Sequence, residues 1–244
     1  MKRLIYLPFL FIGLLFITTS PLNAQTNDQR AESFYRAGQY AQALSLYEQD
    51  LKIYPNNPYL YYNIGNCYFK MGSKGLAAAY YYRAFKLKPQ DSDIRHNLAL
   101  TLQQSGDSLV PRAMPPALHR AIFALSFAQL KGLLCLAGWL VCLLAGCWLL
   151  TRKGATLTIV TGGVFLLVAG WYYIRYSWEQ EPLAVVAAPV VELRSGPGSN
   201  FPASASVQQG HLVQVLDSKD NWQEVIVRSE GLKGWMEQNA LERI

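Results

Sequence analysis

The strongest constraint in this chain is an apolar hairpin at residues 132–174. From Gly132 to Thr151 the sequence carries no charge, Arg152 and Lys153 follow, and a second uncharged run extends from Gly154 to Ile174. As a helix, each run of about 20 residues crosses the roughly 30 Å hydrocarbon core of a bilayer. The polar turn between them is too short to hold a domain. The two runs therefore predict transmembrane helices at 132–151 and 154–174, with the chain before and after them on one side of a membrane. Neither run carries an ionisable group at its middle, which argues against a transport or proton-relay site. Gly138, Cys142 and Ala145/Gly146 share a face of the first helix, and Thr158, Gly162, Gly163 and Gly170 are small positions on the second. Small residues let helix backbones approach in lipid, within the hairpin or against another membrane protein. Trp171, Tyr172, Tyr173, Tyr176 and Trp178 form an aromatic belt at the outer boundary.

The 244 residues leave room for two small domains beside the hairpin. Residues 1–24 have the form of a secretory signal: Lys2 and Arg3, an apolar stretch Leu4–Ile17, then Ser20-Pro21-Leu22-Asn23-Ala24. Leu22 is larger than the residue usual two places before a cut, so cleavage and retention as an anchor both stay open. In either case the chain beyond residue 24 is exported. Arg120 and Lys131 on the outer side weaken the positive-inside signal of Arg152 and Lys153, but translocation of the first segment orients the rest. The net charge of +6 is mild and its basic residues are scattered, so no nucleic-acid partner is expected. Cys135, Cys142 and Cys147 lie along one apolar helix, out of disulfide reach of each other, and Cys67 stands alone. They read as small apolar residues or, alternatively, as a redox group.

Residues 25–105 carry an internal repeat. Pro55 and Pro89 stand 34 residues apart. Before the second of them, Tyr61-x-x-Ile64-Gly65-x-x-Tyr68, Ala77-x-x-x-Tyr81 and Ala84 resemble the tetratricopeptide pattern position by position. Gly65 and Ala77 are small where two antiparallel helices cross, and Ile64, Tyr61, Tyr68 and Tyr81 fill around them. Asn56-Asn57-Pro58 and Gly72-Ser73 break the helices. One repeat earlier, Ala31, Phe34, Ala43 and Tyr47 fall in register, but Asn27, Arg30 and Asp50 stand where apolar or small residues are wanted. One repeat later, residues 91–104 fit only a capping helix. So short a solenoid is expected to be weakly stable alone, or to stack on a partner. The tyrosine clusters Tyr59/Tyr61/Tyr62 and Tyr80/Tyr81/Tyr82 exceed the repeat's needs. Either they pack between helices, or Tyr59, Tyr62, Asn63, Asn66 and Asn97 build a concave surface that grips a peptide of a partner protein. The two-carboxylate clamp of some tetratricopeptide proteins needs a basic residue where this chain has Asp28 and Glu32, which argues against that clamp.

Residues 106–131 are a Pro/Gly linker followed by an amphipathic segment. Leu118, Ile122, Leu125, Phe127 and Leu130 oppose His119, Arg120, Gln129 and Lys131, a pattern suited to the headgroup layer. Residues 183–244 change to short β-rich runs at 183–186, 190–193, 212–216, 223–227 and 233–236, separated by Gly196-Pro197-Gly198, Gly210, Asp217–Asn221 and Gly231. Five short strands in about 60 residues imply a small barrel. Val191-Glu192-Leu193-Arg194-Ser195-Gly196-Pro197-Gly198, Trp222 and Gly234-Trp235-Met236 resemble the bacterial SH3-like domain, which implies cell-wall peptides (peptidoglycan) or proteins as ligands. Phe201, Trp222 and Trp235 edge a peptide groove, or else Trp222 and Trp235 are core residues.

No catalytic constellation is present. His96, His119 and His211 have no Cys or Ser partner in a nucleophile motif, and no cofactor or metal is implied. The fold class expected is a multidomain membrane protein: an all-α tetratricopeptide solenoid (25–105), a two-helix transmembrane hairpin and an all-β SH3-like barrel (183–244). That arrangement resembles the BatE proteins of the bacterial aerotolerance operon. The resemblance implies an inner-membrane, non-enzymatic partner of other Bat proteins, some with von Willebrand A-type domains, and of a MoxR-type ATPase, in oxygen tolerance or envelope stress. A wall-tethering or wall-sensing protein, and an accessory subunit of a membrane enzyme or transporter, are the alternatives.

Overall fold

A computed structural model of the chain describes residues 22–111 and 114–244. Most of the proposed signal segment 1–24 lies outside the described residues. Helices α1 (Leu22–Arg36) and α2 (Tyr40–Ile53) form one antiparallel hairpin, and α3 (Pro58–Lys70) and α4 (Lys74–Leu87) a second. Helix α5 (Ser92–Gln104) follows. Local chemistry sets the starts. The Asn57 side chain accepts the Tyr59 N–H at 3.0 Å ahead of Pro58, and Asp91 accepts those of Asp93 and Ile94. The stops carry the repeat as well. Gly38, Gly72 and Gly106 follow the first, third and fifth helices at positive φ of 78, 82 and 76°, a conformation that suits glycine. They are 34 residues apart, so α5 is the leading helix of a third unit whose second helix is missing.

Within the second hairpin, a Cβ on Gly65 would stand 2.7 Å from the Tyr81 ring. Ile64, Ala77 and Tyr81 are fully buried there. Gly65→Leu is therefore expected to overpack the α3–α4 crossing and cost about 1–3 kcal/mol. Denaturant unfolding of the full chain measures it, and an unchanged midpoint would count against this register. The first hairpin packs on the second through Ala31, Ala43, Tyr47, Leu60, Ile64 and Cys67. Burial pushes the Cys67 thiol up to about 12, with Glu48 adding to it, which leaves no thiolate for redox chemistry near neutral pH.

The short helix α6 (Pro116–Ile122) follows in the chain. The chain then enters two long helices, α7 (Phe127–Thr151) and α8 (Ala155–Glu179). Each long helix has 25 residues, their mean hydropathies are 2.4 and 1.8, and none of the residues in their apolar windows is buried. Arg152 and Gly154, both at positive φ, make the turn between them. The Phe165 ring lies 3.4 Å from where a Gly138 Cβ would be, so the Gly138 face packs inside the hairpin. The amphipathic segment 118–131 departs from expectation. Ser126 starts a new helix with a capping box, its side chain accepting the Gln129 N–H while Gln129 accepts the Ser126 N–H. The break at 123–126 rotates α6, so His119 is buried at 6% exposure while Leu118 faces out at 50%.

The C-terminal part is one antiparallel sheet of β1 (Leu183–Val186), β2 (Val190–Arg194), β3 (Ala203–Gln208), β4 (Leu212–Lys219), β5 (Trp222–Val227), β6 (Lys233–Glu237) and β7 (Leu241–Arg243). The order is β3-β2-β6-β5-β4-β1-β7. Two of the seven strands were not among the five expected. β3 reads Ala-Ser-Ala-Ser-Val-Gln, with a single large apolar group, and β7 has three residues, held by pairing with β1. The sheet buries Val191, Leu193, Val207, Val213, Val225, Val227 and Met236.

The helical repeats and the sheet share a core. Tyr82 and Phe85 of α4 join Ile94, Leu98 and Leu102 of α5, Ile122 and Phe123 at α6, and Leu183, Val185 and Leu212 of the sheet, with Trp178 of α8 packed against them. The neighbour that the short solenoid needs is thus supplied by its own chain, at the open end left by the missing sixth repeat helix. Polar contacts follow the same seam. Arg83 donates to Glu242 and to the Arg243 carbonyl, Lys86 pairs with Glu179 at 3.0 Å, and Asp107 accepts the Leu212 N–H at 2.8 Å. Both domains therefore sit at one end of the α7–α8 hairpin.

Candidate functional site

Three places carry polar or aromatic groups in organised arrangements. The first is the face of α3 and α5. Tyr59, Tyr62, Asn63 and Asn66 fall at intervals that put them on one side of α3. Asn97 of α5 donates to the Tyr62 hydroxyl at 3.0 Å and to the Asn66 side-chain oxygen at 3.2 Å. Tyr81 of α4 donates to that same oxygen at 2.6 Å. Burial pushes the Tyr81 phenol up, so it remains a donor. The network joins three of the five expected groove residues and ties them to the core. Tyr62, Asn66 and Asn97 are half-buried. Tyr59 is half exposed at the edge, with the Lys88 ammonium 4.4 Å from its ring centroid. Asn63 is half-buried on the same helix. The extra tyrosines divide their work: Tyr61 and Tyr68 pack on Tyr80 at 6.2 and 5.3 Å, and Tyr62 on Tyr81 at 5.7 Å.

The second place is the outer face of the sheet. In β5 the buried residues are Gln223, Val225 and Val227, and in β6 they are Gly234 and Met236. The alternation turns Trp222 and Trp235 outward, where both are half-buried. Neither is among the fully buried residues of the sheet. Arg194 lies opposite Trp235 and donates to the Ser199 and Phe201 carbonyls at 2.9 and 2.6 Å, which holds the 195–201 loop. Phe201 folds back over Gly196. Trp222 lines two adjoining clefts of about 430 and 530 Å³, with Glu192, Arg194 and Glu237 around one and Asn221, Gln238 and Asn239 around the other. Phe201 and Trp235 lie outside both clefts. Strand parity in β5 is the sequence signal for the outward Trp222; Asn221 comes from the β4–β5 turn and Asn239 from a short 3-10 helix after β6, and neither carried such a signal.

The third place is the seam. His211 is buried with its Nδ1 3.1 Å from the Ser229 hydroxyl and 3.8 Å from the Asp107 carboxylate. A Ser-His-Asp relay uses opposite ring nitrogens for the two partners. Here both face one nitrogen, and Asp107 is engaged by the Leu212 N–H. The group latches two domains together. His119 stacks on Phe123 and Phe85 at 4.5 and 6.3 Å, the two phenyl rings themselves 5.2 Å apart. Burial, then the positive fields of Arg175, Arg228 and Arg95, push its pKa down to about 4. Among the described residues no cluster of His, Cys, Asp and Glu has the makings of a metal site.

Comparison with known proteins agrees with this division. Residues 31–72 match a TPR repeat family, residues 58–91 the tetratricopeptide repeat, and residues 189–242 the bacterial SH3 domain. The chain contains TPR repeats and a bacterial SH3 domain. Domains of both kinds are typically non-catalytic. No curated protein matches the chain. Among solved structures, the TPR domain of Sgt2 from Aspergillus fumigatus is 23% identical over 35% of this chain and 57% of its own, at a TM-score of 0.34. A mutant of MamA is 18% identical over 36% and 64%, at 0.33. The first TPR domain of Spaghetti (RPAP3), bound to an HSP90 peptide, is 20% identical over 34% and 68%, at 0.32. The chain thus spans less than two thirds of the Sgt2 and MamA chains.

Proposed function

We propose that this protein is a non-enzymatic adaptor anchored in a bacterial inner membrane by α7 and α8. The TPR repeats and the SH3 domain face one extracytoplasmic compartment and bind other proteins there. One observation carries the reading: two 25-residue apolar helices without a buried residue in their apolar windows end beneath two interaction domains that share a core. Apolar helices left bare on this scale need lipid around them. The groove on α3 and α5, built from Tyr59, Tyr62, Asn63, Asn66 and Asn97, takes an extended peptide through amide and phenol hydrogen bonds. Asp28 and Glu32 on α1 make it a poor fit for an acidic peptide end. The resemblance to BatE proteins adds Bat-family membrane proteins and a MoxR-type complex as partners, and aerotolerance or envelope stress as setting.

A second reading rests on the clefts at Trp222 beside Arg194 and Glu237, which suit a cell-wall peptide. On that reading the SH3 domain tethers the protein to peptidoglycan. The two are separated with the full chain, because the SH3 domain shares its core with the repeats. Trp222→Ala abolishes retention on purified wall if tethering is the function, whereas Asn66→Ala with Asn97→Ala abolishes partner capture if the adaptor reading holds. Topology is tested independently. Alkaline phosphatase fused after Ser108 or Ile244 is expected to be active and after Lys153 inactive; the reverse pattern would sink the common-compartment arrangement.

A further inference from the structure

A cleft of about 520 Å³ opens between α5, residues 107–110 and α6. Its floor is apolar, with Ala99, Leu109 and Phe123, and His119 stands in its wall. Arg95 reaches it from α5 and Arg120 from α6. Among the described residues neither guanidinium has a carboxylate partner. The one acid in the lining, Asp107, is engaged by the Leu212 and Ser108 N–H groups. Two cations facing an apolar floor without a counter-ion form a site for an amphiphile with an anionic head.

The height of the cleft decides which amphiphile. The Ile122 carbonyl at the end of α6 accepts the Trp171 indole N–H at 3.0 Å, and Trp178 packs edge-on against His119 and Phe123. Gln90, just before α5, lies 3.5 Å from Gln129 at the start of α7. The cleft thus stands level with the aromatic ends of the two long helices, the depth at which lipid headgroups lie around a spanning hairpin. Exposed Leu118 and Ala121 on the far side of α6 suit the same layer.

We propose that this cleft binds one anionic phospholipid, its phosphate between Arg95 and Arg120 and the top of an acyl chain against Ala99, Leu109 and Phe123. The proposal rests on the membrane-anchored reading. The bound lipid would fill the gap beside the shared core and fasten the repeats to the bilayer surface.

The test uses the full chain in nanodiscs of phosphatidylcholine with a minority of phosphatidylglycerol, and native mass spectrometry after release. The expected result is one retained phosphatidylglycerol per chain, about tenfold enriched over its share of the bilayer. Arg95→Gln with Arg120→Gln is expected to reduce the enrichment to less than twofold without changing the melting temperature, and Arg36→Gln to leave it intact. No enrichment in the parent, or equal enrichment in the double variant, overturns the site. Displacement by millimolar inorganic phosphate overturns the lipid assignment in favour of a free anion. Extraction of the chain from membranes by alkaline carbonate sinks the anchored reading together with the site, whereas retention without lipid preference sinks the site alone.

Discussion

Gly75→Ala is expected to pry the SH3 domain off the TPR repeats. A Cβ at this position would stand 2.2 Å from the Val186 carbonyl oxygen and 2.8 Å from the Ala187 Cα. Both are backbone atoms, so no rotamer change relieves the overlap. The Val186 oxygen is also fixed from the other side, where it accepts the Gly210 N–H at 2.8 Å. Helix propensity alone gives the opposite sign, since Ala in place of Gly inside a helix is worth up to about 1 kcal/mol. The overlap wins, because α4 and β1 must separate. Separation exposes Leu183, Val185 and Leu212 and removes the sheet-side partners of Arg83 and Asp107. The net loss is expected near the upper end of the roughly 1–3 kcal/mol range typical of overpacking. Limited proteolysis of the full chain reads it directly, as new cleavage at 180–183, between α8 and β1. Gly132→Ala, where a Cβ meets nothing within 4 Å, should leave the digest unchanged. An unaltered digest in Gly75→Ala would mean that the seam is not a fixed contact.

Acid is expected to loosen the same seam through His119. Its pKa lies near 4 in the folded protein, against an ordinary 6.5 in the unfolded chain. As pH falls through 6.5 the unfolded chain takes up the proton first, so stability drops with pH and keeps dropping until about pH 4. At roughly 1.4 kcal/mol per pH unit, the loss across the window is on the order of 2–3 kcal/mol, and above pH 6.5 the group contributes no slope. The charges facing the ring are Arg175 on α8, Arg228 after β5 and Arg95 on α5, all of one sign. Carboxylates in general begin to take up protons toward the acid end, so the clean interval is pH 6.5 to 5. His119→Phe keeps the stack on Phe85 and Phe123 and should flatten that interval in thermal melts. A slope unchanged by the substitution would rule the histidine out as its source.

How far the sequence could be read depends on the range of the interactions. The hairpin, the tetratricopeptide register and the Arg-Ser-Gly-Pro and Gly-Trp signature of the SH3 domain are local patterns, and all three were legible. The grouping of the expected residues was legible, because Tyr59, Tyr62, Asn63 and Asn66 share a helical face, and Asn97 sits one repeat on from Asn63. Its wiring was not. Nothing in sequence says that Asn97 bonds Tyr62 and Asn66 while Tyr59 goes to Lys88. The tryptophans were ambiguous because an outward aromatic and a core aromatic look alike until the strand's parity is known. His119 was misplaced, since the 118–131 pattern reads as one helix and Ser126 divides it.

Taken alone, the amino-acid order determined the set of parts: a 34-residue helical period, two runs of membrane-crossing length and a β-rich tail. Each is a short-range periodicity, imposed by backbone geometry and by the solvent that each face must meet. Only the tertiary structure decided that these parts fuse. The side chains that join them, Tyr82, Phe85, Phe123, Trp178 and Leu212, span more than 120 residues of chain. Each is one apolar residue among many in its own segment. Which apolar surfaces meet depends on shape and on the orphaned end of the solenoid, and both exist only once the elements have formed.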